Sequence, residues 1–319
     1  KITEPRPSGP LYTRTQNPLY WQVLAQAMEA AQTLNRHQFE TMVHTSFSNT
    51  FEYDPFSNIS TNIDLESWRT ALTFTYGLSD TLDIRAELPV ISTGGGFLDG
   101  MIQWYHNLFG LPNGGKDLVS DDSYEYQVLQ NGVSLVKYPS TALGISDMHL
   151  RLKWMVSEPL NLPFKLSILP YIKIPTGQKA KGFSSGKVDL GLSFVLEKTW
   201  TKQLTTYSQI GAVYLTGQHR LSNFYKDYFI SFGQSIEYQL WDHLSLITQL
   251  TGNTPLFTGV DTTDLSKAVL DLNIGFAGSY LLSHPVLDEF FYQWSFSEDV
   301  LAQGPSVDFS ILFLMGVRY

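Results

Sequence analysis

The sequence predicts an all-β fold, a transmembrane antiparallel β-barrel of about twelve strands, and three observations support this. Every second residue from Val307 to Tyr319 is apolar, and a period of two places these residues on one face of a strand. Similar alternating stretches, separated by turns, follow one another from residue 37 onward. No run approaches the roughly 18 apolar residues of a transmembrane helix, so a form of this chain that spans a membrane must be a closed barrel.

Composition narrows the class of protein further. The chain is 43% hydrophobic and 14% aromatic, and its net charge of −9 argues against a nucleic-acid surface, which would be basic. The absence of cysteine fits an exported chain. Because the sequence starts at Lys1 with no apolar signal core, we expect that a signal peptide has been removed. No spacing typical of metal ligands occurs, so neither a metal nor a cofactor is predicted.

The predicted strands differ in position but share the two-residue period. They cover residues 37–49, 66–77, 81–92, 145–156, 163–174, 187–199, 203–216, 225–240, 243–253, 267–281, 289–298 and 307–319. The connections alternate between short turns and longer loops, which lie at about 50–65, 93–144, 175–186, 217–224, 254–266 and 299–306. Short turns on one side and long loops on the other are typical of outer-membrane barrels. The phase of the strand over 203–216 is ambiguous.

The face opposite the apolar one carries charged side chains, which cannot face lipid without a large cost. The predicted lumen residues are Glu40, His44, Arg69, Asp83, Arg85, Glu87, His149, Arg151, Lys153, Lys187, Asp189, Glu237, Asp271, Asp308 and Arg318. Two interpretations remain open. The charges pair and close a narrow barrel, or they line a water-filled pore, since twelve strands lie between filled barrels of roughly 8 and open ones of roughly 16.

Aromatic residues beside the turns predict the interfacial girdles of a membrane barrel. They are Trp68, Tyr76, Trp154, Trp200, Tyr238, Trp241, Tyr280, Trp294 and Tyr319. Tyr319 also ends the last strand with an aromatic residue, which resembles the terminal assembly signal of bacterial outer-membrane barrels. That resemblance implies the outer-membrane insertion machinery as a partner, together with the lipid bilayer and lipopolysaccharide.

Residues 1–35 precede the predicted barrel of residues 36–319 and differ from it in composition. Prolines mark an extended start, and the Ala, Gln and Leu content of Gln22–Leu34 predicts a short helix. Two interpretations of this segment remain open. It is either a periplasmic tail packed under the barrel or a plug that enters the lumen.

The connection over 93–144 is long enough to be a folded extracellular loop. After the hinge Gly94–Gly96, the apolar residues recur at helical spacing and predict an amphipathic helix; they are Phe97, Met101, Trp104, Tyr105, Leu108 and Phe109. A hairpin is predicted around Asn131 and Gly132. We expect the helix to act as a lid or a packed cap over the barrel mouth; a substrate-capturing surface or an element resting on the membrane is the alternative.

Two pairs of residues are candidate hydrolase sites. His44 and Ser46 have the spacing found in outer-membrane phospholipases, and His219 and Ser222 lie close together in an outer loop. Neither pair has a convincing third residue to orient the histidine. The sequence therefore predicts no enzyme, and a hydrolase acting on lipid is the least favoured reading.

Two longer motifs resemble a known family. FLDGMIQWYHNLFGLPNGGK (97–116) and WSFSEDVLAQGPSVDFSILFLMGVRY (294–319) are similar to Gram-negative outer-membrane barrels known only as proteins of unknown function. That family more distantly resembles barrels found beside aromatic-degradation genes and suspected of moving small hydrophobic compounds. The resemblance implies a location in the bacterial outer membrane and, by analogy alone, transport.

Together these features favour an outer-membrane channel for passive or loop-gated diffusion of small molecules, with hydrophobic ones as a candidate class. The alternative is a closed structural or surface-interaction barrel. The sequence does not identify the small-molecule substrate, and it gives no reason to expect a nucleic-acid partner.

Overall fold

In the computed structural model, residues 8–53, 58–97, 99–110, 120–139, 141–217, 223–260, 265–301 and 304–319 are described. Twelve strands form a closed antiparallel barrel, which confirms the predicted fold class. They are β1 (Phe39–Tyr53), β2 (Ile59–Ser79), β3 (Leu82–Gly94), β7 (Met148–Met155), β8 (Lys165–Ile174), β9 (Asp189–Thr199), β10 (Leu204–Leu215), β11 (Tyr228–Trp241), β12 (Leu244–Asn253), β13 (Val269–Leu281), β14 (Glu289–Asp299) and β15 (Phe309–Arg318). The barrel closes because β1 pairs with both β2 and β15.

The outer ends of β1 and β2 extend well beyond the predicted strands. Their pairing continues to Tyr53 opposite Asn62, so the predicted loop over 50–65 is wrong. The reason is that strand pairing above a membrane needs no lipid-facing apolar residues, and the two-residue period is weak there.

The described part of the long loop contains one helix and three short strands, α1 (Asp99–Phe109), β4 (Glu125–Gln130), β5 (Val133–Lys137) and β6 (Ala142–Ile145). The turn between β4 and β5 has positive φ at Asn131 and Gly132, as a tight hairpin turn requires. β4 pairs with the outer end of β2, and β6 pairs with β3. The loop therefore prolongs one side of the barrel wall.

The two faces of the strands follow the predicted period. The structure resolves the phase of β10, where Tyr207 and Val213 are buried in the barrel while Ile210 and Tyr214 are exposed outside. Among the described residues, no helix is long and apolar enough to cross a membrane.

Residues 8–35, here called the N-terminal segment, lie inside the barrel. The segment starts near the short turns, where the Ser8 amide donates to Glu237. It turns at the opposite end in a short 3-10 helix, Pro18–Gln22, and returns to the short-turn end, where the Leu34 amide donates to Asp83. The turn starts at Asn17, whose side chain accepts a hydrogen bond from the Leu19 amide, and Pro18 favours the helical φ that follows.

The helix predicted over Gln22–Leu34 is wrong, because only Gln22 is helical, as the last residue of the 3-10 helix, and residues 23–34 form no helix. Side chains of the barrel accept hydrogen bonds from its backbone amides: Asp189 from Leu24 and Glu197 from Ala31. These acceptors replace the carbonyl groups that a helix would supply, so tertiary contacts override the local helix propensity.

Candidate functional site

The candidate site is the interior of the barrel, where the N-terminal segment meets the charged faces of the strands. The returning limb lies so close to two glycines of the wall that a larger residue there would displace one of its flexible side chains. A Cβ on Gly211 would lie 2.3 Å from Oε1 of Gln26, and one on Gly233 would lie 2.2 Å from Sδ of Met28. Glycine within a strand is typical of such close approach.

A first charged cluster surrounds Glu87 on β3. Arg14 of the N-terminal segment and Arg69 of β2 bind its two carboxylate oxygens at 2.6 and 2.5 Å. The hydroxyl of Tyr12 donates to the same carboxylate at 2.8 Å. His149 Nδ1 lies 3.2 Å from Arg14. The segment thus adds one cation to a pair that the barrel wall already contains.

A second charged cluster surrounds Glu29 of the N-terminal segment. Arg151 binds its carboxylate through two nitrogens, with Nε 3.1 Å from Oε1 and Nη2 2.7 Å from Oε2. Lys153 Nζ and Arg85 Nη1 lie 3.1 and 3.3 Å from Oε2. The hydroxyl of Tyr171 donates to Oε1 at 3.0 Å. Burial alone would raise the pKa of Glu29, but Arg151, Arg85 and Lys153 lower it well below its usual range.

The second cluster continues to the closing strands of the barrel. Arg85 also binds Glu40 at 3.1 Å. Arg318 on β15 binds Glu40 on β1 at 2.8 Å and Glu289 on β14 at 2.5 Å. Ion pairs therefore connect the last two strands to the first and reach the N-terminal segment through Arg85.

Near the outer end, Lys173 on β8 is completely buried between two carboxylates. Its Nζ lies 2.9 Å from Asp147 and 3.1 Å from Asp189. It also donates to the backbone carbonyl of Gln22 at 2.6 Å. The turn of the N-terminal segment is therefore held by a buried ammonium group as well as by packing.

The outer opening itself is filled by apolar side chains, here called the mouth cluster. The segment contributes Leu19, Tyr20, Trp21, Val23 and Leu24, and the strands and loops contribute residues such as Ile63, Tyr126, Phe183, Val213, Tyr225 and Phe257. The ring of Trp21 packs edge-on against Phe183 and Tyr126, at centroid distances of 5.9 and 6.4 Å. The same segment thus contacts charge within the barrel and apolar surface at its mouth.

A cavity of about 110 Å³ remains beside Glu29, between the segment and the wall. Its charged lining residues include Arg85, Lys153 and Arg318 together with Glu40, Asp83 and Glu197, and Phe291 and Leu314 are among its apolar ones. A space of this size can hold several water molecules or part of a small solute.

The structure places the lumen residues predicted from sequence as follows. Buried in the interior are Glu40, His44, Arg69, Asp83, Glu87, Arg151, Lys153, Asp189, Glu237 and Asp271, while Arg85, His149, Asp308 and Arg318 are half-buried. Lys187 differs, because it precedes β9 and is exposed. Its spacing to Asp189 matches the inward face, but the strand begins only after it.

Exposed aromatic side chains beside the short turns form a band around the outside of the barrel. Of the residues predicted for a girdle, Trp154, Trp200, Tyr238, Trp241, Tyr280 and Tyr319 lie there, and Tyr76 lies beside the same turns but is half-buried. Trp68 lies near the other end of the wall, opposite Ser92 of β3. Trp294 does not lie beside a turn, since it occupies the middle of β14 opposite Phe276 and Phe313. Tyr214 and Tyr228, paired near the outer ends of β10 and β11, extend the aromatic set but were not predicted.

The described side chains of the loop that were predicted to form a lid are exposed or lie outside the barrel wall. The ring of Phe97 stacks on Phe47 at 5.8 Å, and Phe47 belongs to the outward face of β1. Phe97 therefore lies outside the wall and not over the opening. Trp104 and Leu108 of α1 are exposed. The helix also contains Met101, Tyr105 and Phe109, whose side chains lie outside the described part of the structure.

The candidate hydrolase pair is occupied by other contacts. His44 Nε2 lies 2.9 Å from Arg69, and the Ser46 hydroxyl donates to Gln16 Oε1 at 2.8 Å. Both side chains point into the barrel and are buried, away from lipid. His219 and Ser222 lie outside the described residues.

Sequence reasoning missed the groups that the N-terminal segment brings to the site. Glu29, Arg14 and Tyr12 each complete a cluster whose other members lie on distant strands. One signal was available: Glu29 is the only charged residue between Arg14 and Arg36. A single carboxylate in a long uncharged stretch indicates a specific partner.

Comparison with known proteins identifies a family and a fold for this chain. A family model described as "Protein of unknown function (DUF3187)" matches residues 5–319. The COG4313 outer membrane channel from Pseudomonas putida F1 has a TM-score of 0.61 at 13% identity, covering 91% of this chain and 98% of that chain. The NanC porin has a TM-score of 0.46 at 10% identity, covering 88% and 98%. The CymD monoaromatic hydrocarbon channel has a TM-score of 0.39 at 11% identity, covering 89% and 88%. No curated protein matches the sequence. At this identity the first likeness shows the fold, that of an outer-membrane barrel.

Proposed function

The chain belongs to the DUF3187 family of proteins of unknown function, and we propose that it is an outer-membrane channel whose N-terminal segment gates the passage of small molecules. The observation that carries this proposal is that side chains of the wall, and not pairing with a strand, hold the segment in the lumen. The amides of Leu24, Glu29 and Ala31 donate to side chains of the wall. The ladder between β1 and β15 closes the barrel without the segment. The segment can therefore leave the lumen without breaking the wall.

Small apolar molecules fit the outer end of this path. The mouth cluster offers aromatic and aliphatic surface at the opening, and burial of such surface favours apolar solutes over water. Similarity in fold to an outer membrane channel adds support. The exposed aromatic band would rest in the lipid interface, with lipopolysaccharide around the outer half of the barrel.

A disulfide that fixes the segment in place tests this proposal. The hydroxyl of Ser167 on β8 donates to the carbonyl oxygen of Ala31 at 2.5 Å, so the two residues are neighbours, as a disulfide between these positions requires. The chain has no cysteine, so the double variant Ala31→Cys, Ser167→Cys contains one pair of thiols. We expect the oxidised double variant to block flux of small solutes into liposomes and the reduced form to restore it.

The controls separate this function from the closed structural barrel. Each single cysteine variant should respond to neither oxidant nor reductant. A variant lacking residues 8–35 should conduct ions in a planar bilayer more strongly than the wild type. If the wild type, the reduced double variant and the deletion variant all pass neither ions nor solutes, the structural reading replaces the channel.

A further inference from the structure

The carboxylate of Glu29 occupies a site that the barrel wall builds without it. Arg85, Arg151, Lys153 and Tyr171, here called the Glu29 cradle, all lie on strands of the wall. Together they direct five polar contacts of 2.7 to 3.3 Å at its two oxygens. Bidentate binding by a guanidinium is the geometry that selects a carboxylate.

The charges of the wall leave this site one anion short. The ion-paired cations around it are Arg85, Arg151, Lys153 and Arg318, and the anions of the wall that pair with them are Glu40, Asp83 and Glu289. Glu29, on the removable segment, supplies the missing negative charge, and its side chain is only 3% exposed. When the segment withdraws, the cradle keeps a surplus positive charge in the lumen, which favours the binding of another anion.

The space beside the cradle has polar and apolar walls. The adjoining cavity is lined by Arg85 and Lys153, which belong to the cradle, by the ion-paired carboxylates Glu40, Asp83 and Glu197, and by the apolar side chains of Met42, Phe291 and Leu314. A small organic acid would place its carboxylate on the cradle and its apolar part against these side chains.

We propose that the Glu29 cradle is a carboxylate-binding site of the channel, taken by Glu29 when the segment is docked and by the carboxylate of a small organic acid when it is not. This inference rests on the proposed channel function and names its substrate class. The docked segment then acts as a built-in competitor of the solute.

Acetate can replace the atoms that a truncation of Glu29 removes. In the single-cysteine background Ala31→Cys, the labelled thiol is buried while the segment is docked, so its alkylation rate reports undocking. We expect Glu29→Ala to speed this labelling by about 100-fold, as expected when a buried charge loses its partner. Acetate, which equals the lost CH₂–COO⁻ group, should slow the labelling again and saturate, whereas acetamide should not.

Gln26→Ala provides the matched control. It shortens a side chain of the same segment by the same length, but Gln26 binds the uncharged Ser231. Its labelling rate should not respond to acetate. If acetate slows labelling of the Glu29→Ala protein no more than acetamide does, or slows both variants equally, the cradle is not a carboxylate site.

A flux measurement on the unmodified protein covers the case in which Glu29→Ala does not fold. In liposomes at neutral pH, benzoate should enter about tenfold faster than benzamide, because only the anion gains a charge-assisted contact with the cradle. Equal entry of both solutes would overturn the carboxylate site while leaving the channel intact. Entry of neither would instead remove the proposed function itself.

Discussion

The two ends of the N-terminal segment's path are held by different physical forces. Within the barrel, Arg14 and Glu29 meet specific charged partners at fixed distances. At the mouth, Leu19 and Trp21 pack into an apolar cluster with no comparable directionality. The ion pairs therefore determine the position of the docked segment and the kind of group that can replace it. The apolar packing excludes water from the opening.

The largest effect is expected from breaking the charged region. Arg151→Met removes the guanidinium that binds both Glu29 and Asp83 and leaves two buried carboxylates with fewer partners. We expect a loss of about 3–5 kcal/mol in the free energy of unfolding, measured by denaturant unfolding in detergent. Arg36→Met, at an exposed position, is the control and should change little. Similar losses of stability for both variants would show that the buried ion pairs of Arg151 are not what stabilises this region.

Removing the central ring of the mouth cluster should cost slightly less. Trp21→Ala deletes a side chain that packs on Phe183 and Tyr126, and we expect a loss of about 3 kcal/mol. This loss should be the same at pH 7 and pH 5, since no charged partner is involved. Trp200→Ala, on the outward face and 62% exposed, is the control. If it destabilises the protein as much as Trp21→Ala does, the loss does not depend on packing in the mouth cluster.

Acid should weaken the charged region alone. The pKa of Glu29 is lowered when the segment is docked, by Arg151, Arg85 and Lys153 acting against the desolvation that would raise it. Docking therefore gains stability that is fully present above the usual pKa of about 4.5 and is lost as pH falls below it. Labelling of the Ala31→Cys protein should accelerate as pH drops from 5 towards 3, after correction for thiol reactivity. The same titration in Glu29→Gln should lack this step.

The smallest effect is expected at the rim. Lys165 binds Glu197 at 2.7 Å, and its side chain is 38% exposed, so water can replace its ammonium group. The buried carboxylate of Glu197 keeps the hydrogen bonds donated by the amides of Ala31 and Gln32. Lys165→Met should therefore change the free energy of unfolding by only about 1 kcal/mol, and 0.5 M salt should erase most of the difference. A loss as large as that of Arg151→Met would mean that burial does not separate the strong pairs from the weak ones.

The barrel and its two faces could be predicted from sequence because their signal is local. Period-two alternation places Arg151 and Lys153 inward and Trp154 outward without knowledge of any partner. The path of the N-terminal segment could not be predicted in this way. Its local composition favours a helix, but Asp189 and Glu197, more than 160 positions away, satisfy its amides. Such acceptors are visible only after the barrel has brought them together.

The lumen residues were therefore predicted without their partners. The sequence indicated that Glu87 and Arg151 face inward, but not that Arg14 and Glu29 complete their charge. Lys187 shows a second limit, because the alternating pattern of the sequence already begins in the exposed loop that precedes β9. A period fixes a direction along a strand and does not fix where the strand begins.

The pairing of β1 with β15 also has a consequence for how the molecule assembles. The two partners, for example Glu40 and Arg318, stand far apart along the chain, so this contact carries a high entropic cost and forms late. The N-terminal segment immediately precedes β1 and already lies inside the finished wall. Because the segment is joined to β1, its side chains are available to contact the wall while the last strand arrives. Substitutions in residues 8–35 should alter the rate of barrel closure even though none of these residues belongs to the wall.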